Sequence, residues 1–547
     1  MSEALRAAAE AWLADDPDPA SRVELQAVLD ALPGSADDLA DRFAGSLTFG
    51  TAGLRGPLRA GPNGMNLAVV RGAAAGLIRV LAAHDTPGPL VIGYDARHGS
   101  REFAAETARV ATGAGRRALL MPRPLPTPVL AYAVRALDAA AGVMVTASHN
   151  PPQDNGYKVY LGAALGGELG AGAQIVPPAD RDIEAAIREV GPLSAVPLGD
   201  DGEILGDDVV EGYLAGAVAV VEPDGARELR VAYTPLHGVG GVTLTAAFTR
   251  AGFAAPQVVA EQAEPDPDFP TVAFPNPEEP GAIDLAVALA AAVGADLVIA
   301  NDPDADRCAV AVPDPTLGAP ADDTKGWRML RGDEVGALLA DHLIRRGRTG
   351  RYATTIVSST LLRALTAARG LPYAETLTGF KWIVRAGADL TFGYEEALGY
   401  AVAPDLVRDK DGITAALLVA ELAAALRTEG RTLIDRLDAL AAEFGRHTTD
   451  QLSVRVDDLA DITTMMSRLR ANPPRTLLGR PVTVTDRLPD ADVVTLTAPD
   501  LRVVVRPSGT EPKLKAYLEL VTPTTTDPTP HLTTLRTEIS TALGLPT

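Results

Sequence analysis

From Pro89 onward, short apolar runs alternate with amphipathic stretches. PLVIGYD, REFAAETARVATGAG, RALLMP, TPVLAYAVRAL and AGVMV read in turn as strand, helix, strand, helix and strand. The rhythm returns in ELRVAYTPLHG, PQVVAEQ and ADLVIANDPD, and again in YATTIVSS, PYAETLTG and LTFGYEEALGY. Three α/β units in series follow, each on a mostly parallel sheet. The last hundred or so residues change character: TDQLSVRVDD, DVVTLTA, LRVVVRPSG and KLKAYLELV predict one mainly antiparallel sheet flanked by helices such as DITTMMSRLR, an α+β unit. The expected division is 1–205, 206–325, 326–440 and 441–547, with linkers near 196–208 and 313–326 and a turn at 440–448. The most apolar helix, around Ile413 to Leu426, is too short to span a bilayer, carries Glu421, and reads as a core helix.

A chain of 547 residues suits three to four domains and hence a cleft between them. With 47% hydrophobic and 22% charged residues it is expected to fold throughout. A formal charge of −22 argues against nucleic acid and anionic lipid as partners, so an anionic substrate must be met by a local basic patch. The single Cys308 leaves neither an internal disulfide nor a Cys-rich zinc site and fits a reducing compartment. The acidic opening helix LRAAAEAWLADD lacks the features of a secretory signal, and the expected location is the cytoplasm.

In α/β sheets ligands gather beyond the carboxyl ends of strands, and four such loops are chemically loaded. TASHNPPQDNGYK, residues 146–158, puts the Ser148 hydroxyl at a strand end beside His149 and Asn150, with Lys158 ten residues on. Alone it would equally make an Asn-Pro and Asp-Asn-Gly turn. NDPDADR, residues 301–307, places Asp302, Asp304 and Asp306 at alternate positions, which can converge on a hard cation such as Mg²⁺. A solvated acidic turn is the alternative. An EF-hand is excluded by Arg307 at its sixth position and Pro313 at its twelfth. TLTGFKWI and FGYEEALGY offer Glu395 and Glu396 as readers of sugar hydroxyls or as an acidic helix cap. RPSGTEPK, residues 506–513, gathers Arg506, Ser508, Gly509 and Thr510 into a phosphate cradle or a plain hairpin.

In this order, TASHNP, DPDADR, GYEEALGY and RPSGTEPK resemble the four active-site loops of the α-D-phosphohexomutase superfamily, one per domain, over nearly the whole chain. LTFGTAGLRG, YTPLHGVG, TLTGFKWI and DKDGI are similar to its phosphoglucomutase and phosphopentomutase-like branch. The resemblance implies four domains around a central cleft, three similar α/β domains and a C-terminal α+β domain. It implies a phosphoserine at Ser148, which is also a metal ligand with Asp302, Asp304 and Asp306, and one Mg²⁺ per chain. Lys158, His149 and Arg55 would serve catalysis. Arg307, Thr378, Gly379, Lys381, Glu395, Arg506, Ser508, Gly509 and Thr510 would bind substrate. The implied activity interconverts sugar 1-phosphate and 6-phosphate through a sugar 1,6-bisphosphate, with glucose favoured and mannose or pentose phosphates as alternatives. A sugar phosphatase and a non-catalytic sensor are more distant readings. The acting form is expected to be a monomer or homodimer. Lys158, near a cation and Arg307, is expected to have a lowered pKa suited to proton transfer. The family's serine two residues after the sugar-reading glutamate is replaced here by Ala397, and Tyr400 stands where some members have a nearby histidine.

Overall fold

The computed structural model describes residues 3–50, 53–317, 326–456, 458–508 and 513–545. Four large sheets succeed one another along the chain. In the first, the spatial order is Leu54–Pro57, Asp154–Leu161, Ala141–Val145, Leu90–Tyr94, Ala118–Leu120, Glu203–Ile204. Its last four strands are parallel, as the alternating pattern predicts, and the two at the other edge are antiparallel. Asp154–Leu161 corrects the reading of residues 146–158 as one loop. After the Asn-Pro turn the chain doubles back as a strand, with Lys158 opposite Met144.

The second sheet orders Trp327–Met329, Ala309–Pro313, Leu297–Ala300, Val231–Thr234 and Gln257–Val258, so it extends slightly past the expected edge at 325. The third contains Tyr373–Thr376, Arg351–Thr355, Leu390–Glu395 and Gly399–Ala401. The fourth is antiparallel throughout, with Arg446–Arg455, Lys513–Thr522, Leu501–Pro507, Val494–Ala498 and Thr483–Asp486 side by side.

The helix Gly412–Thr428 is buried nearly all round, as its uniform apolarity predicts. It packs against helices of both the second and third units, tying them into one core. Asp411 caps it, accepting from the Ile413 and Thr414 amides at 3.0 and 3.1 Å and from the Tyr213 hydroxyl at 2.8 Å. This fixes the start of the helix, and with it the preceding Asp409 and Lys410, against the site. Among the described residues no helix is long and apolar enough to cross a membrane.

Candidate active site

The loops that end strands of the first two sheets meet at Ser148. Its backbone has φ 52°, the left-handed region that costs a side-chain-bearing residue about 1–3 kcal/mol and recurs where function fixes geometry. The strain is held by a dense set of bonds. The Ser148 amide donates to Thr146 Oγ1 at 2.9 Å. The buried Arg97 guanidinium donates to the carbonyls of Ser148 (2.6 Å), Asn150 (2.5 Å), Pro151 (2.8 Å) and Asp154 (3.2 Å). Arg97 itself is flanked by Asp95 at 3.4 Å and by the Phe269 ring at 4.9 Å.

So oriented, Ser148 Oγ donates to Asp302 Oδ2 at 2.7 Å and lies 3.2 Å from His149 Nδ1. Asp302, Asp304 and Asp306 are fully buried, and each directs an oxygen to within 4.8 Å of the others. Alternation in the loop and the left-handed turn at Ala305, φ 55°, bring all three to one side. Asp302 Oδ1 accepts from the Arg307 amide at 3.0 Å, and Asp304 Oδ2 accepts from the Thr127 hydroxyl at 2.7 Å. Among the described residues, Asp304 Oδ1 and Asp306 Oδ1 are buried with no hydrogen-bond partner. Orphaned anionic oxygens converging in a dry site are the donor set of a hard divalent cation, so the triad fits one. Burial and the facing Asp304 and Asp306 carboxylates push the Asp302 carboxyl well above the usual range. Burial acts the same way on Asp304, but the Lys158 ammonium outweighs it and holds that carboxyl far below the range.

Lys158 Nζ donates to Asp304 at 2.6 Å and Asp306 at 3.0 Å. The expected lowering of its pKa does not occur. Burial works in that direction, but the two carboxylates overcome it and raise the pKa above that of an ordinary lysine. Lys410 also lies 3.3 Å from Asp306 and 3.6 Å from Asp409. His149 is held well below the usual histidine range, first by burial and then by Arg307 and Arg55, so it is neutral. Arg55 donates to Asn150 Oδ1 at 3.1 Å, linking the N-terminal glycine loop to the serine loop.

Arg307 faces Glu278 at 3.5 Å. Glu395 is buried at the end of its strand, and burial is the chief cause that raises its pKa to about 7, against the pull of Lys410. Its neighbour Glu396 accepts from Ser358 Oγ at 3.1 Å and Thr355 Oγ1 at 3.3 Å, and borders a cavity of ≈ 350 Å³ shared with Glu278, Arg502 and Tyr517. Thr378 has a buried hydroxyl without a partner among the described residues, and Gly379 precedes the short helix Phe380–Ile383. Lys381 is lowered to about 8 by burial, with Asp180 and Glu395 acting against this and Arg506 reinforcing it. Charges of the first, third and fourth units thus act on one side chain. Arg506 is the penultimate residue of its strand, Leu501–Pro507, and the Ser508 amide donates to the Lys513 carbonyl at 2.7 Å. Gly509 and Thr510 lie outside the described residues. Tyr400 is fully buried in the main core, and among the described residues its hydroxyl has no hydrogen-bond partner.

Sequence reasoning passed over Arg97, Thr127 and Lys410. Arg97 sits in DARHGS, directly after the strand Leu90–Tyr94, where the strand-end criterion would have found it. Lys410 lay inside the quoted DKDGI. Thr127 carries no such signal, because its role depends on a loop 177 residues away.

The chain matches four successive domains described as Phosphoglucomutase/phosphomannomutase: alpha/beta/alpha domain I over residues 46–192, domain II over 211–316, domain III over 331–444, and the C-terminal domain over 452–526. It is 46% identical over 467 residues to a Haemophilus influenzae protein named "Probable phosphomannomutase", covering 83% of this chain and 93% of that one. It is 34% identical over 556 residues to a human phosphopentomutase, covering 90% and 87%. The crystal structure of a phosphoglucomutase/phosphomannomutase family protein from Burkholderia thailandensis superposes with a TM-score of 0.67 at 20% identity, covering 89% of this chain and 96% of that one. The chain belongs to the phosphoglucomutase/phosphomannomutase family of the phosphohexomutase superfamily. It is accordingly a phosphomutase, an isomerase that acts by phosphoryl transfer.

Proposed function

We propose that the protein moves a phosphoryl group between two positions of a sugar monophosphate, with Ser148 as the covalent carrier. The observation that carries this reading is the bond from the Ser148 hydroxyl to Asp302, within a buried cluster that also contains two orphaned carboxylate oxygens and the Lys158 ammonium. In the forward step the bond from phosphorus to Ser148 Oγ breaks as one forms to a sugar hydroxyl, whose proton is lost, giving a sugar bisphosphate. That intermediate turns around, and its other phosphoryl group returns to Ser148.

Asp302, Asp304 and Asp306, with Ser148, would hold Mg²⁺, which when bound supplies positive charge for the phosphoryl oxygens. Lys158, fixed by two carboxylates, donates hydrogen bonds toward the reacting group and can return a proton. Neutral His149 beside Ser148 Oγ can accept one. Arg55 and Arg307 bring further positive charge to the transferring group. Glu395, Thr378, Gly379 and Lys381 would engage sugar hydroxyls and phosphate, and Arg506, Ser508, Gly509 and Thr510 the phosphate that is not reacting. Burial of the cluster excludes the water that would otherwise hydrolyse the phosphoserine.

The sugar we place first is glucose, with glucose 1,6-bisphosphate as intermediate and activator. The Haemophilus relative favours mannose phosphate and the human one a pentose phosphate as alternatives. A buried, single Cys308 agrees with a cytoplasmic protein, acting as a monomer or homodimer. The test is intact-mass analysis before and after sugar monophosphate, then turnover of glucose, mannose, ribose and deoxyribose 1-phosphates, each primed with its bisphosphate. A phosphorylated form that disappears in Ser148→Ala is expected. Accumulation of inorganic phosphate in place of the isomer would replace the mutase with a phosphatase, and full activity of Ser148→Ala would overturn the carrier role.

A further inference from the structure

One residue of the first unit, Gln174, touches two separate segments of the third. It lies along the strand Asp154–Leu161, seated there by the Ile175 amide on the Val159 carbonyl at 3.2 Å and by the Leu161 amide on the Ala173 carbonyl at 3.0 Å. That register sets it opposite Tyr160. Tyr160 and Lys158, two residues apart on the strand, share a face, and from it Lys158 reaches Asp304 and Asp306 while Tyr160 reaches Asp409.

The first arm is the Gln174 side chain. Its amide donates to Asp409 Oδ2 at 2.8 Å, and the Tyr160 hydroxyl donates to the same oxygen at 2.7 Å. Asp409 is buried, so these two donors replace the water it has given up. Its other oxygen accepts from the Lys410 amide at 2.8 Å and lies 3.6 Å from the Lys410 ammonium. That ammonium is in turn 3.3 Å from Asp306 and 5.5 Å from the centre of the Phe380 ring. A carboxylate free to turn at Asp409 would unseat one side of Lys410.

The second arm leaves from the main chain. Arg385 donates from one end of its guanidinium to the Gln174 carbonyl at 3.0 Å and from the other to the Lys381 carbonyl at 2.6 Å. A planar fork that spans two carbonyls fixes their separation. The short helix Phe380–Ile383 is thus held at Lys381 by Arg385 and at the Phe380 ring by Lys410, and both contacts lead back to Gln174.

We propose that Gln174 is a positioning residue of the phosphoryl transfer. Through Asp409 it aligns Lys410 with the carboxylate cluster, and through Arg385 it aligns the Lys381 segment that engages substrate. The strand that brings Lys158 to the serine centre thereby also sets where two lysines of the third unit stand. The inference rests on the roles given above to Ser148 and Lys381.

Two variants separate the arms. Gln174→Met keeps the carbonyl and the length of the side chain but removes the amide, and Arg385→Met removes the fork. On glucose 1-phosphate primed with glucose 1,6-bisphosphate, Gln174→Met is expected to lower kcat about tenfold with KM within about twofold of the parent, and Arg385→Met to raise KM about tenfold with little change in kcat. In the full chain without ligand, amide exchange should quicken about fivefold or more at 407–411 in Gln174→Met and at 377–386 in Arg385→Met. Exchange is read without substrate, and intact mass reports the phosphoserine separately. A parent that never carries phosphate on Ser148 would sink the carrier role and leave exchange to decide this proposal. Unchanged exchange at both segments, or equal losses of kcat/KM in the two variants with no split between kcat and KM, overturns it.

Discussion

The Ser148 hydroxyl lies 2.7 Å from the Asp302 carboxylate although 154 residues separate them. The pairing joins the loops beyond the carboxyl ends of two central strands, Ala141–Val145 and Leu297–Ala300, and each loop holds a residue in left-handed backbone, Ser148 itself and Ala305. A hydroxyl so held has its lone pairs and proton directed before any substrate arrives, which is the preorganisation that group transfer requires. Removing the hydroxyl in Ser148→Ala should therefore lower kcat/KM on the order of 10⁴-fold or more, with no phosphoprotein in the mass spectrum. Residual turnover within tenfold of the parent would assign the carrier elsewhere.

Arg97 offers a separate lever on the same turn. Its guanidinium serves four carbonyls of the serine loop, and each buried acceptor left unpaired costs about 1–3 kcal/mol. Arg97→Met should cut kcat by about 10- to 100-fold and lower the melting temperature, while some phosphoserine still forms. Arg97→Lys should not rescue kcat, because one ammonium cannot span the fork of bonds that the planar guanidinium makes. Unchanged phosphoserine yield and kcat in Arg97→Met would show that the loop holds its shape without the clamp.

The α/β alternation, the terminal antiparallel sheet and the four loaded loops were legible because each rests on local pattern: period, strand ends and turn residues. The strand Asp154–Leu161 was not, because its opening Asp-Asn-Gly is turn chemistry and its pairing is decided by the neighbouring strand Ala141–Val145. The charge state of Lys158 was misread for a related reason. Its surroundings are carboxylates from a loop about 150 residues away, and only the fold reveals that they touch the lysine directly. Arg97 and Thr127 likewise act on groups distant in sequence, which no spacing within their own segments encodes.

The orphaned oxygens of Asp304 and Asp306 predict how the protein responds to metal. A cation that binds the folded chain stabilises it by mass action, by about 2.7 kcal/mol at a concentration one hundred times its Kd. Mg²⁺ added to chelator-treated protein should raise the melting temperature, and the rise should be lost in Asp306→Ala. An equal rise in both proteins would place the binding elsewhere.

Asp333 predicts a pH dependence of stability that is independent of the metal. Burial is the main cause that raises its carboxyl to about 7, with the Ser359 amide pulling it down and Glu396 and Glu519 pushing it up. In the unfolded chain an aspartate titrates near 3.9, so between roughly pH 4 and 7 the folded form keeps a proton that the unfolded form has lost. The contribution to stability is full below about pH 4 and is lost as pH rises toward 7, each factor of ten in proton affinity being worth about 1.4 kcal/mol. Asp333→Asn keeps an oxygen to accept from the Ser359 amide at 2.6 Å and the Tyr394 hydroxyl at 3.2 Å, but has nothing to titrate. The variant should therefore melt higher than the parent at pH 8 and by a clearly smaller margin at pH 5. Chemical denaturation at the two pH values measures the difference. A gap that is the same at both, or larger at pH 5, would show that Asp333 is charged throughout and that its neighbours, not its burial, govern the site.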